Sequence, residues 1–243
     1  MNTTILTGDL ISAMCARAKL IHKERGDPLD LPSQAREGIY EMRAAMFLPF
    51  VEGKDVLELG CGYGYDAFLF SKRAKMVIGL DVNKNATEKA STRFDHISNL
   101  FFVADDALNF LNNGRKFDII VLFESLEHFT AEEQLVLIKT LWETLKPNGQ
   151  LFLSTPNGKC VPFYRKNPYH KKELSVEELK MLLSGHFRIE TIKGQVSIMW
   201  FFLPLPWLLV EKLWLRLGIY TRMCRLRNSH RTSRTIIIRA ARK

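Results

Sequence analysis

A chain of 243 residues, 47% of them hydrophobic and 25% charged, can bury a full core, which excludes disordered and fibrous classes and points to one domain. The formal net charge of +9 is local: nine basic residues and no acidic ones lie between Leu213 and Lys243, and the other 26 lysines and arginines match the 26 acids. The basic excess belongs to a tail, so a nucleic-acid partner is not expected for the rest of the chain.

The four cysteines, Cys15, Cys61, Cys160 and Cys224, are far apart and form no C-x-x-C pair. That spacing argues against a disulfide framework or a cysteine zinc site and suits a reducing cytoplasm. The first residues lack a basic start followed by an apolar run and a small-residue cleavage site, so no secretory signal is expected.

In chain order, residues 1–50 read as a helical lead-in with a Gly/Asp/Pro break at 25–32 and a helix over 33–50. Short apolar runs follow at 55–59, 76–80, 100–103, 117–123 and 150–154, each bounded by polar or turn residues. Helix-like stretches separate them, the clearest at 131–145, stopped by Lys146-Pro147-Asn148-Gly149. Two later strands fit at 187–193 and 235–240. Strands interleaved with helices predict an α/β, doubly wound, mostly parallel sheet covered on both faces.

The first strand runs through Glu58 into Gly60-Cys61-Gly62-Tyr63-Gly64 and then a helix. Glycines there let the backbone approach a ligand, although the spacing is G-x-G-x-G and not the dinucleotide pattern. The second strand ends at Asp81, where such sheets place a carboxylate for ribose hydroxyls. The third ends at Asp105-Asp106, an acceptor pair for an adenine amino group or an ordinary helix cap. The fourth ends Phe123-Glu124-Ser125-Leu126-Glu127-His128, with three ionisable groups in five residues.

With these motifs together, residues 50–190 closely resemble the class I S-adenosylmethionine-dependent methyltransferases. The resemblance implies a Rossmann-like sheet of seven strands whose last strand, at 235–240, is antiparallel, within a methyltransferase domain over 51–243. It implies that Glu58, Gly60, Gly62 and Gly64 line the methionine end of S-adenosylmethionine. Asp81 would hold the ribose, and Asp106, more than Asp105, the adenine; Phe123 is a further cofactor-binding candidate. The longer pattern Glu124-x-x-Glu127-His128 looks like the metal-assisted O-methyltransferases of ubiquinone biosynthesis and of small-RNA ends. A later histidine, His170, then joins the set. Glu127, His128 and His170 become catalytic candidates, and Glu124, Glu127, His128 and His170 candidate ligands for Mg²⁺ or another divalent ion. Without a metal, the alternative is a polar loop in which Glu127-His128 structures the rim of the site.

Tyr40 and Arg43 lie one helical turn apart and read as an ordinary amphipathic face, with contact to the cofactor carboxylate as the alternative. An apolar insertion at 196–232 contains an uncharged run of 15 residues, 196–210, broken by Pro204 and Pro206. It falls short of the roughly 20 residues that span a bilayer. Its tryptophans beside arginines suit a membrane interface, a lid or a dimer contact. The expected enzyme is cytoplasmic, peripheral at the inner face of the membrane, and O-methylates a lipid-linked, quinone-like or glycan small molecule. A metal-dependent RNA 2′-O-methyltransferase and an idle cofactor-binding partner subunit are the alternatives.

Overall fold

The computed structural model describes residues 37–163, 167–197, 228 and 233–243. Seven strands form one sheet: β1 (Asp55–Leu59), β2 (Met76–Asp81), β3 (Leu100–Ala104), β4 (Phe117–Phe123), β5 (Leu145–Pro156), β6 (Phe187–Ser197) and β7 (Ser233–Arg242). Their spatial order is β3-β2-β1-β4-β5-β7-β6. The β1–β5 pairs are parallel, while β7 runs antiparallel to both neighbours, β5 and β6. The expected antiparallel last strand is therefore β7.

The central strands are mainly apolar, with Glu58 in β1 and Asp118 in β4 among the exceptions, because helices cover both faces of the sheet. Successive side chains alternate between those faces. Leu57, Leu59, Ile120, Leu122, Leu151 and Leu153 face one core with α5 (Ala131–Thr144) and α6 (Val176–Ser184), through Leu137, Leu141, Leu179 and Leu183. Val56, Val77, Ile119, Val121 and Phe152 face the other, with α1 (Met42–Phe47) and α2 (Tyr65–Ser71). Two further helices, α3 (Lys84–Arg93) and α4 (Ala107–Leu111), follow β2 and β3.

Local chemistry sets the helix starts. Thr130 with Glu133, and Ser175 with Glu178, form reciprocal capping boxes at the first turns of α5 and α6. At the end of α5, Leu145 leaves the helix one residue before the sequence suggested and pairs with Phe117, so β5 begins before the Lys146–Gly149 turn. The predicted helix over 33–50 is, in its described part, a π-helical turn at Glu37–Glu41, then α1, then a 3₁₀ turn at Leu48–Phe50. Both late strands are longer than predicted; β6 runs to Ser197 and takes in the first two residues of the apolar insertion. The rest of that insertion, like most of the lead-in, lies outside the described residues.

In an order running outward from β1 to β2 and β3 on one side and to β4 and β5 on the other, the connections diverge between β1 and β4. Ligands of such sheets bind at the carboxyl ends of the strands at this switch point.

Candidate active site

The glycine loop closes the end of β1 onto the end of β2. The amides of Gly60 and Cys61 both donate to the Leu80 carbonyl, at 2.8 and 3.1 Å. Gly64 has φ of +77°, and a Cβ there would come within 2.4 Å of the Phe102 ring. The loop therefore needs glycine at this position for backbone conformation and for the close approach of β3.

Asp81 is buried and both its oxygens already hold backbone: Oδ2 accepts from Gly62 N and Oδ1 from Asn83 N, each at 2.8 Å. At the end of β3, Asp106 caps α4, its Oδ1 accepting from Leu108 N and Asn109 N. Asp105 in turn accepts from the Asp106 amide at 2.7 Å. The helix-cap reading of Asp106 is thus realised, in the place where the resemblance puts adenine.

Beside the loop lies a buried charge cluster. Arg43 of α1 pairs with Asp66 of α2 at 2.7 Å, donates to Ser154 Oγ at 3.2 Å and lies 3.9 Å from Glu124. Its guanidinium also covers the Phe123 ring at 4.3 Å. Burial alone would lower the Arg43 pKa, but Asp66, Glu124 and Tyr40 outweigh it and raise it. Burial, and next the neighbouring Asp66 charge, push the Glu58 carboxyl well above the usual range. Burial likewise raises Cys61, with Asp81 and Glu58 adding to it, which keeps it a thiol and removes it as a nucleophile.

Glu124 takes φ of +47°, a left-handed conformation rare outside glycine. Its amide donates to the Ser154 carbonyl at 2.9 Å, and its carboxylate accepts from Ser154 Oγ at 2.7 Å. Such strain persists where the surroundings over-determine it. The turn sends Glu124 towards Arg43 and leaves Glu127 and His128 on the following 3₁₀ turn, Leu126–His128.

Glu127 is fully buried, with Thr155 Oγ1 donating to its Oε2 at 3.1 Å. Its carbonyl receives Lys171 N and Lys172 N, at 2.8 and 3.2 Å, which docks the His170 segment beside it. Gln134 of α5 tightens this by donating to the carbonyls of Leu126 and Lys172, both at 3.0 Å. His170 Nε2 consequently lies 3.9 Å from Glu127 Oε1. The rings of His128 and His170 meet edge to face, 5.1 Å between centroids. One ligand atom from each of Glu127, His128 and His170 lies within 4.8 Å of the others. Glu124, expected in the same set, is not gathered with them.

The methyltransferase-domain family profile matches residues 32–232. The chain belongs to the class I S-adenosylmethionine-dependent methyltransferase family. A probable S-adenosylmethionine-dependent methyltransferase of Mycolicibacterium smegmatis is 32% identical over 149 residues, 58% of this chain and 55% of that protein. A ubiquinone biosynthesis O-methyltransferase of Coxiella burnetii is 31% identical over 108 residues, 44% of this chain and 45% of that protein. The matched stretches thus span about half the length of these relatives. Among solved structures, the N-methyltransferase NodS of Bradyrhizobium japonicum, bound to S-adenosyl-L-homocysteine, has the same fold, with a TM-score of 0.65. That match covers 93% of this chain and 98% of NodS at 17% identity.

In this methyltransferase, sequence reasoning placed the glycine loop, Asp81 and the Glu127–His128 turn at strand ends, and it brought His170 to them. It missed the buried partner of Arg43. The signal was present: Tyr40, Arg43 and Phe47 follow a helical stripe, and a charge inside an apolar stripe requires a buried partner. That partner is Asp66. Thr155, Gln134 and Glu173 contribute through contacts made across the fold, which no local motif announces.

Proposed function

We propose that the chain methylates a hydroxyl of a small lipid-linked, quinone-like or glycan molecule, with S-adenosylmethionine as donor. The observation that carries this reading is the convergence of Glu127, His128 and His170 beyond the end of β4, the strand beside the glycine-loop strand β1. The name of the Coxiella relative, an O-methyltransferase, supports oxygen as the acceptor atom.

The described residues suit the donor. Arg43 Nε and Glu58 Oε2 are buried without a hydrogen-bond partner. A guanidinium for a carboxylate and a carboxylate for an ammonium match the two charges of a methionine moiety. By the resemblance, the loop of Gly60, Gly62 and Gly64 would line its chain, Asp81 the ribose, and Asp105 and Asp106 the adenine, with Phe123, which Arg43 covers, a further contact. Bound S-adenosylmethionine supplies an electrophilic methyl, whose carbon–sulfur bond breaks as the bond to the acceptor oxygen forms. Alignment and a destination for the hydroxyl proton are the protein's part. His128 Nδ1 lies 3.3 Å from the Tyr169 carbonyl, which only accepts, so that nitrogen carries the ring proton and Nε2 the lone pair. His128 and His170 are the bases this geometry offers, with Glu127 holding the charge that forms.

A second reading uses the same three side chains. One carboxylate and two imidazoles suit a divalent ion such as Mg²⁺ or a softer transition metal. Glu127, His128 and His170 would hold it, and it would lower the pKa of a bound hydroxyl. The aromatic and basic run at 196–227 extends the proposal to a peripheral site on an anionic membrane, where a lipid-linked acceptor is met.

The test is transfer of labelled methyl to a panel of phenols, quinols and glycolipids. His128→Ala and His170→Ala should lose turnover while S-adenosylmethionine affinity is retained. Wild-type rates in both variants would overturn the assignment. Full activity in excess chelator, with no metal by elemental analysis, would remove the ion and leave the base reading.

A further inference from the structure

We infer that Glu173 is a positioning residue that fixes the tautomer of His170 and so aims its Nε2 lone pair at the site. The inference rests on the proposal above that His170 works at the acceptor side, and it adds the group that makes it competent.

His170 sits in a tight turn: its amide donates to the Asn167 carbonyl at 3.2 Å, and Asn167 Oδ1 accepts from Tyr169 N at 2.9 Å. Glu173, three residues on, brings its Oε1 into direct hydrogen-bond contact with His170 Nδ1. Both side chains are only 7% exposed, so water does not compete for this contact. An ionised carboxylate only accepts, and the proton between the two groups therefore belongs on Nδ1. In the neutral ring the lone pair is then on Nε2, which is buried and has no hydrogen-bond partner. At 3.9 Å, Glu127 Oε1 is too far to be one.

The opposite tautomer would set two lone pairs against each other at Nδ1 and Glu173. It would also put a proton on Nε2, where it could neither receive one from an acceptor hydroxyl nor ligate an ion. Glu173 thus excludes the unproductive state, as outer carboxylates do for working histidines. The segment carrying both residues is itself docked, through Lys171 N and Lys172 N on the Glu127 carbonyl. The carboxylate, the ring and Glu127 are therefore placed as one unit. A residue that only tied down the loop would not have to touch the imidazole.

The decisive readout is the ring nitrogens of His170 in ¹⁵N-histidine-labelled full chain, assigned by their loss in His170→Ala. In its neutral form the wild-type ring should show Nδ1 protonated and Nε2 bare. An Nε2–H tautomer in the neutral ring overturns the proposal without any variant being made. Glu173→Gln, whose amide can donate as well as accept, should move the ring towards the Nε2–H form. It should also lower kcat by about 10–100-fold and leave S-adenosylmethionine affinity unchanged. An unchanged tautomer and kcat in Glu173→Gln would reject the role of Glu173 even where His170→Ala is inactive. Wild-type turnover in His170→Ala, by contrast, would reject the underlying reading of His170.

Discussion

The Gly62 amide donates to Asp81 Oδ2 at 2.8 Å, so the acid that ends β2 also shapes the loop that ends β1. Its other oxygen holds Asn83 N, next to the start of α3. One carboxylate thus organises two of the strand ends where the cofactor is expected. Asp81→Ala should weaken S-adenosylmethionine at least about tenfold, since a charged hydrogen bond is worth roughly 1.5–3 kcal/mol. It should also speed hydrogen exchange at Gly62. Calorimetry with unchanged affinity would take Asp81 out of the site.

Arg43 and Asp66 form a buried pair, with side chains 4% and 8% exposed. Breaking such a pair from one side leaves an uncompensated charge and costs about 3–5 kcal/mol. Arg43→Met should therefore lower the urea midpoint strongly, and Arg43→Met/Asp66→Leu should recover part of the loss. Neither double nor single variant should bind S-adenosylmethionine well. A single variant as stable as the wild type would show that the pair is not buried in solution.

These two sites mark what the sequence made legible. Asp81 and the glycines are read from local pattern, because strand, turn and acid are neighbours in the chain and the chemistry follows from their order. The sheet is legible for the same reason: each central strand is a short, mainly apolar run bounded by polar or turn residues. Arg43, Ser154 and Glu124 are separated by as many as 111 positions and meet only when α1 packs on the ends of β4 and β5. The direction of Glu124 could not be read either. Its left-handed backbone turns it away from Glu127 and His128, so the E-x-x-E-H string divides between two neighbouring clusters.

Glu58 gives a pH signature. Burial, then Asp66, raise its carboxyl well above the usual range. A group that holds its proton more tightly when folded gives stability that is complete below the unfolded value and is lost as pH rises through the folded one. The contribution of Glu58 to the stability of the ligand-free protein should therefore be lost from about pH 4 upward, the ordinary carboxyl range. Glu58→Gln should flatten that loss and weaken S-adenosylmethionine, because the amide cannot carry the charge that meets the ammonium. Urea titrations of the two proteins across pH 4–8 test the sign; an identical pH dependence would reject it.

The membrane proposal is the most exposed to test. It rests on two adjacent features in residues 196–227, of which all beyond Ser197 lie outside the described residues. Trp200, Phe201, Phe202, Trp207 and Trp214 supply interfacial bulk, and Arg216, Arg222, Arg225 and Arg227 follow directly. Among the described residues no helix is long and apolar enough to cross a membrane. Each basic residue near an anionic leaflet contributes roughly 1 kcal/mol, so four give reversible attraction. Salt should weaken that part, because charges are screened over about 8 Å at physiological ionic strength, while the aromatic part persists. Flotation with anionic vesicles should show binding that needs anionic lipid, declines with salt and drops when Trp207 and Trp214 are both changed to alanine. Protein left in the soluble fraction with anionic vesicles at low salt would instead assign the segment to a lid or a subunit contact.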